Sequence, residues 1–202
     1  VEDIKSNMEL CDDIRFAKDV EDFEVEVLMD NGIYRHIRCG NSDTIVHHFN
    51  IITWPGSLCI SGDMGTYNFS RTKDMFNFFR GDKINPGYWA EKLTSICKLN
   101  DYREYCSSTN AKYIKDYFND YWEDREDKSG KDECWEEIED QILQFIEIDE
   151  STSREAVQDF QHNGFEFVDA WEWHLTQSTY HYIWCLRAIV WAINEYDKIE
   201  SE

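Results

Sequence analysis

The chain has 202 residues, with 42 Asp and Glu against 20 Lys and Arg, a net charge of −22, and 15% Phe, Tyr or Trp. That length and aromatic content supply a substantial core, and only 2 Pro and 9 Gly argue against a loop-dominated chain. The charge argues against direct binding to nucleic acid or an anionic membrane, since both require clustered cations.

In chain order, a short helix is predicted around residues 13–17. Residues 23–29 alternate apolar and polar side chains, the pattern of a half-buried strand. Asp30-Asn31-Gly32 and a second alternating run, 33–39, make a hairpin signal. A three-residue loop pairs Met29 with Ile33, Val25 with Ile37 and Phe23 with Cys39, leaving only Arg35 out of place on the apolar face. Further strands are predicted at 45–53, 58–61 and 66–70, joined by turns at Trp54-Pro55-Gly56 and 62–65. From Lys73 the period becomes helical. Helices are predicted at 74–80, at about 87–99 behind Pro86, and from a Thr109 or Asn110 cap to about 124. Others run over 132–148, from a Ser151–Ser153 cap to near Asn163-Gly164, and over 179–198. The last is apolar almost all round, as suits a central helix against the sheet. The expectation is a single α+β domain over residues 1–202. An N-terminal antiparallel meander of about five strands (about 20–72) packs against a C-terminal helical portion (about 73–200).

Chemistry is sparse. The seven Cys are odd in number and widely spaced, without C-x-x-C, so they read as reduced thiols rather than a disulfide framework or zinc site. Cys59 falls within a strand, as an inert buried thiol does. His47 and His48 fall on a predicted strand, where their rings point to opposite faces and cannot share a metal. No phosphate loop, dinucleotide fingerprint or nucleophile elbow is present. No catalytic residue, metal ligand or cofactor is therefore assigned. One ligand site is conceivable on the sheet, from His48, Trp54, Asp63 and Tyr67. It would serve a small-ligand binder or an enzyme.

The charge is concentrated. Residues 116–159 hold 17 Asp and Glu against four Lys and Arg, and the acids mostly lack the Lys four positions away that usually pairs with them. Glu123, Asp124, Glu126, Asp127, Asp132, Glu133, Glu136, Glu137 and Asp140 are the candidate partner-binding residues. Carboxylates spaced along helices can imitate a run of phosphates and occupy a basic protein surface. A solvated face beside an ordinary core stripe is the other account of them.

The stretch His48-Phe49-Asn50-Ile51-Ile52-Thr53-Trp54-Pro55-Gly56-Ser57-Leu58-Cys59-Ile60-Ser61-Gly62-Asp63-Met64-Gly65, continuing to Arg71, resembles a segment of uncharacterised proteins carried by bacteriophages and prophages. Residues 74–80 and Asn85-Pro86-Gly87-Tyr88-Trp89 extend it. The resemblance implies only a mobile-element origin and carries no activity. The reduced thiols and the polar, charged N-terminus lead to the expectation of a cytoplasmic protein, in a bacterial host. By class analogy, small acidic phage proteins include inhibitors of nucleic-acid-handling defence complexes, of the anti-restriction and anti-CRISPR type.

Overall fold

The computed structural model describes residues 6–98, 100–123 and 125–201. Two short helices, α1 (Asn7–Leu10) and α2 (Asp13–Asp19), open the chain; the Asp12 carboxylate caps the second by accepting the Arg15 N–H. Strands β1 (Glu24–Asn31), β2 (Tyr34–Gly40), β3 (Phe49–Trp54), β4 (Ser57–Gly62) and β5 (Gly65–Ser70) follow. Next come α3 (Phe76–Phe79), α4 (Pro86–Ala90), β6 (Leu93–Ile96) and β7 (Arg103–Tyr105). Helices α5 (Ser107–Glu123) and α6 (Lys131–Ile138) lead into a π-helical turn, Glu139–Leu143. The chain ends with α7 (Glu150–Asp159), β8 (Gln161–His162), β9 (Phe165–Glu166), β10 (Thr176–Ser178) and α8 (Tyr180–Ile199). The architecture is α+β, and β1 to β6 form one antiparallel meander in chain order.

Contacts divide the described residues into two compact units. Those up to Glu104 and from Ser178 form the first, and residues 105–177 form the second. The last helix belongs with the sheet.

In the first unit, Ile37, Phe49, Ile51, Ile60, Tyr67 and Phe69 alternate on one buried face of the sheet. Helix α8 supplies the other half of this core with Tyr182, Trp184, Leu186, Ile189 and Ile193. Trp184 meets Phe16 and Phe49 edge-on, with ring centroids 5.3 and 5.7 Å away. The β1–β2 register differs from the predicted one. Val25 faces Cys39 and Val27 faces Ile37, a bulge falls at Leu28, and Asn31 faces Tyr34 across a Gly32-Ile33 loop. Gly32 takes φ +64 at the first loop position, which a type II′ hairpin reserves for glycine. The bulge supplies the residue that the shorter loop omits, so the apolar sets still share a face. Arg35, expected to be out of place, lies on the buried face. Its guanidinium donates to both Asp74 carboxylate oxygens at 3.0 and 3.1 Å and stacks 4.4 Å from the Phe76 ring centroid.

Two other predictions fail here. Residues 45–48 are not strand: β3 starts at Phe49, and His47 sits at φ +61. The helix expected over 87–99 stops at Ala90, and residues 93–96 pair with β5 as a sixth strand. The β-branched Thr94 and Ile96 suit a strand, and pairing satisfies the β5 edge.

In the second unit, α5 buries Ile114, Phe118 and Trp122, and α6 buries Cys134 and Ile138. Ile142 and Ile146 continue that row at four-residue spacing. Such spacing drifts around an α-helix; the wider π turn at 139–143 takes up the drift. Thr109 and Asn110 do not cap α5. Asn110 is buried inside it and donates to the Tyr105 hydroxyl at 3.0 Å and to Ser153. Ser153 is thereby used in the core, and Asp149 caps α7 by accepting the Thr152 N–H at 2.8 Å. Asn163 and Gly164 do not end a helix. With φ +47 and +82 they turn the β8–β9 hairpin, the two positive values that an Asn-Gly loop of type I′ supplies.

Candidate functional site

The acidic candidates fall on three consecutive pieces of the second unit. Glu123 ends α5, Glu126 and Asp127 lie in the loop, and Asp132, Glu133, Glu136 and Glu137 lie on α6. Asp140 follows in the π turn. Asp124 lies outside the described residues. All the described ones are exposed except Glu137, which is half-buried and accepts from the Gln141 amide. Asp132 with Glu136, and Glu133 with Glu137, stand four apart on α6, where like charges repel. Among the described residues none of these eight carboxylates is in an ion pair; the pair in this unit is Arg154 with Glu150, at 2.8 Å.

The cations nearest in sequence lie over rings. The Arg125 guanidinium is 4.0 Å from the Tyr121 ring centroid, and the Lys131 ammonium is 5.6 Å from that of Phe118. Lys128 reaches the Glu123 carbonyl at 3.4 Å. Phe118 and Trp135, with ring centroids 4.9 Å apart, line a cleft of about 400 Å³ with Lys115, Lys131, Asp132 and Glu136. Trp135 turns its indole N–H to Glu139 at 2.8 Å. The acidic surface thus has an aromatic recess within it.

The alternative ligand residues do not converge. Asp63 and His48 are neighbours: the Asp63 N–H donates to the His48 carbonyl at 3.0 Å, and the Asp63 carboxylate accepts the His47 N–H at 2.9 Å. Trp54 stands at the opposite end of β3, about 17 Å away at the rise of a strand. Tyr67 is fully buried on the core face, where burial pushes its phenol up beyond the ordinary range. His48 instead lines a separate hollow of about 620 Å³ with Glu24, Glu26, Arg38 and Asp43. Its Nδ1 lies 2.5 Å from the Ile45 carbonyl, which makes it the protonated nitrogen.

Burial pushes the thiols of Cys39 up to about 12, and of Cys11 and Cys134 up to about 11, so these are unreactive at neutral pH. Cys59 is likewise raised by burial. Cys106 differs: burial raises it, but hydrogen bonds from Ser108 and Thr109 outweigh that and hold it below the ordinary thiol value. Among the described residues no three His, Cys, Asp or Glu side chains are placed to hold a metal ion. No helix among them is long and apolar enough to cross a membrane.

No protein-family model, curated protein or solved structure matches the chain. Sequence reasoning located the carboxylates. It missed the aromatic partners of Arg125 and Lys131: Tyr121 lies four residues before Arg125 at the end of α5, and Phe118 comes to Lys131 from a separate helix.

Proposed function

We propose that the protein is a non-enzymatic binding protein whose second unit presents an acidic face to a basic protein surface of the kind that holds nucleic acid. One observation carries this: eight exposed or half-exposed carboxylates on adjoining elements, none neutralised by a described cation. Residues 105–177 hold 20 Asp and Glu against 6 Lys and Arg, a net of −14. Such a field repels nucleic acid, steers cationic proteins and speeds their association. The Phe118–Trp135 recess adds apolar surface, which charge alone does not provide. With the resemblance to phage-borne proteins, this extends to an inhibitor of a bacterial nucleic-acid-handling defence complex.

The test is capture of basic nucleic-acid-binding proteins from a bacterial lysate at low and high salt. The captured partner is then titrated against wild type and the variant Glu136→Lys/Glu137→Lys/Asp140→Lys. Affinity falls with salt, and the triple reversal lowers it by about tenfold or more. Binding that ignores salt and survives the triple reversal overturns the proposal.

A further inference from the structure

One turn of the second unit displays a large apolar side chain that the core does not use. Phe167, Ala170 and Trp173, three positions apart, fasten its inner side. The first two are buried, and the Trp173 ring stacks on Tyr113 with centroids 5.4 Å apart. A single 3₁₀ turn, Ala170–Glu172, sets that spacing and leaves Val168 and Trp171 outside. Trp171 is 64% exposed, the most of the 8 Trp, and Val168 is 54% exposed. Apolar side chains exposed singly are ordinary. Trp171 differs in how firmly its backbone is held.

The Arg154 guanidinium donates to the Ala170, Trp171 and Trp173 carbonyls at 3.4, 3.4 and 2.9 Å. Glu150 holds that guanidinium from α7 at 2.8 Å, so the ion pair described in this unit serves the turn. The Val168 N–H donates to the Tyr117 hydroxyl at 3.0 Å, and the Glu172 N–H to the Asp169 carbonyl at 2.9 Å. Asp169 sits between these bonds at φ +55, a left-handed backbone that is unfavourable for any residue but glycine. A side chain on so braced a backbone loses little freedom when a partner covers it. Trp adds a large rigid ring with only two side-chain torsions, which is why it recurs among the residues that dominate protein interfaces.

The neighbouring charge selects the partner. Asp169 and Glu172 flank Trp171 in sequence and Glu166 lies on β9 before it; all three are exposed, and among the described residues none is in an ion pair. Arg154, the cation at the turn, is already engaged. A second copy brings the same carboxylates against these, and an anionic membrane repels them. A protein pocket edged by Lys or Arg suits both the ring and the acids. We propose, resting on the reading of this unit as a surface for a basic protein, that Trp171 is the anchor of that contact. Its indole enters an apolar pocket of the partner, Val168 packs at the pocket's edge, and Asp169 and Glu172 meet a cationic rim. Long-range charge speeds the encounter, and the buried indole sets the lifetime of the complex.

The test takes the basic protein captured at low salt, identified and purified, and titrates it at several salt concentrations with the full chain, Trp171→Ala and the triple reversal at Glu136, Glu137 and Asp140. Trp171→Ala alters an exposed side chain, so its circular dichroism and melting temperature match wild type. It weakens binding by about thirtyfold, mainly through faster dissociation, as loss of an interface anchor does. Its salt dependence stays that of wild type, because no charge is removed. Ile14→Ala, at a side chain of the first unit that is more exposed still, leaves affinity unchanged. Salt-dependent binding that Trp171→Ala weakens and the triple reversal does not supports the anchor and removes the α6 face. Trp171→Ala binding within about twofold of wild type, while the triple reversal binds more weakly, overturns the anchor and leaves the α6 face standing. Capture of no basic protein, or binding that ignores salt, overturns both. Wild type that dimerises in light scattering where Trp171→Ala does not gives the turn to a second copy and also overturns the proposal.

Discussion

The two units use charge in opposite ways. The first has 22 Asp and Glu against 14 Lys and Arg, a net of −8 over 129 residues, and it spends its cations on pairing. Arg35 with Asp74, Arg80 with Asp197, and Arg187 with Asp13 tie separate segments together. The second has a net of −14 over 73 residues, and its Arg125 and Lys131 lie over rings rather than carboxylates. Charge holds the first fold together and is left facing outward on the second. Exposed carboxylates four apart weaken a helix, so the second unit depends on its aromatic core, in which Phe118, Phe165 and Phe167 are buried.

Removing the largest buried ring of the first unit tests whether the two cores are separate. Trp184→Ala costs about 3–5 kcal/mol. Amide exchange then accelerates in β1–β5 and α8, while amides in α5–α7 keep their protection. Equal loss in both sets shows one cooperative system. Next in size is the Arg35–Asp74 pair. Asp74→Asn leaves the nearly buried Arg35 charge uncompensated, at about 3 kcal/mol measured by denaturant unfolding. For wild-type Asp74, burial raises the carboxyl, but hydrogen bonds from Arg35 and the Phe76 N–H outweigh that and lower it overall. A lowered carboxyl contributes stability that is full above its ordinary value and is lost as pH falls through the folded one. The wild-type advantage over Asp74→Asn therefore holds at neutral pH and shrinks below about pH 4. An advantage that persists undiminished in acid refutes the pair as its source.

The smallest effect has the opposite sign. Glu136→Lys relieves the repulsion from Asp132 and should stabilise the second unit by a few tenths of a kcal/mol, roughly. It should also weaken partner binding. A variant that loses stability shows that Glu136 is needed by the fold, and places the outward charge of the second unit in structure rather than recognition.

The meander was legible because its first strands nearly alternate and its turns carry Gly. Its first register was not, since counting by twos assumes an unbroken ladder and Leu28 bulges out of this one. Strand β6 was hidden behind Pro86 and Trp89, which read as a helix start of normal length. His47 misled because a left-handed backbone at a non-glycine residue leaves no mark in local pattern. The acidic run could be read directly, because exposure is what uncompensated charge requires. The Asn163-Gly164 hairpin could not: a Ser cap and helical spacing ahead of it predict a helix running up to that turn, and only the pairing of β8 with β9 shows two strands there.

The bulge at Leu28 matters beyond register. β1 is an outer strand of the meander, and an outer strand offers free backbone groups to any passing extended chain. Here that rim is kinked and carries exposed Glu24, Glu26 and Asp30. Glu26 is paired with Arg38, so two copies approaching β1 to β1 meet mismatched ladders and the like charges of Glu24 and Asp30, which disfavours strand pairing at this edge.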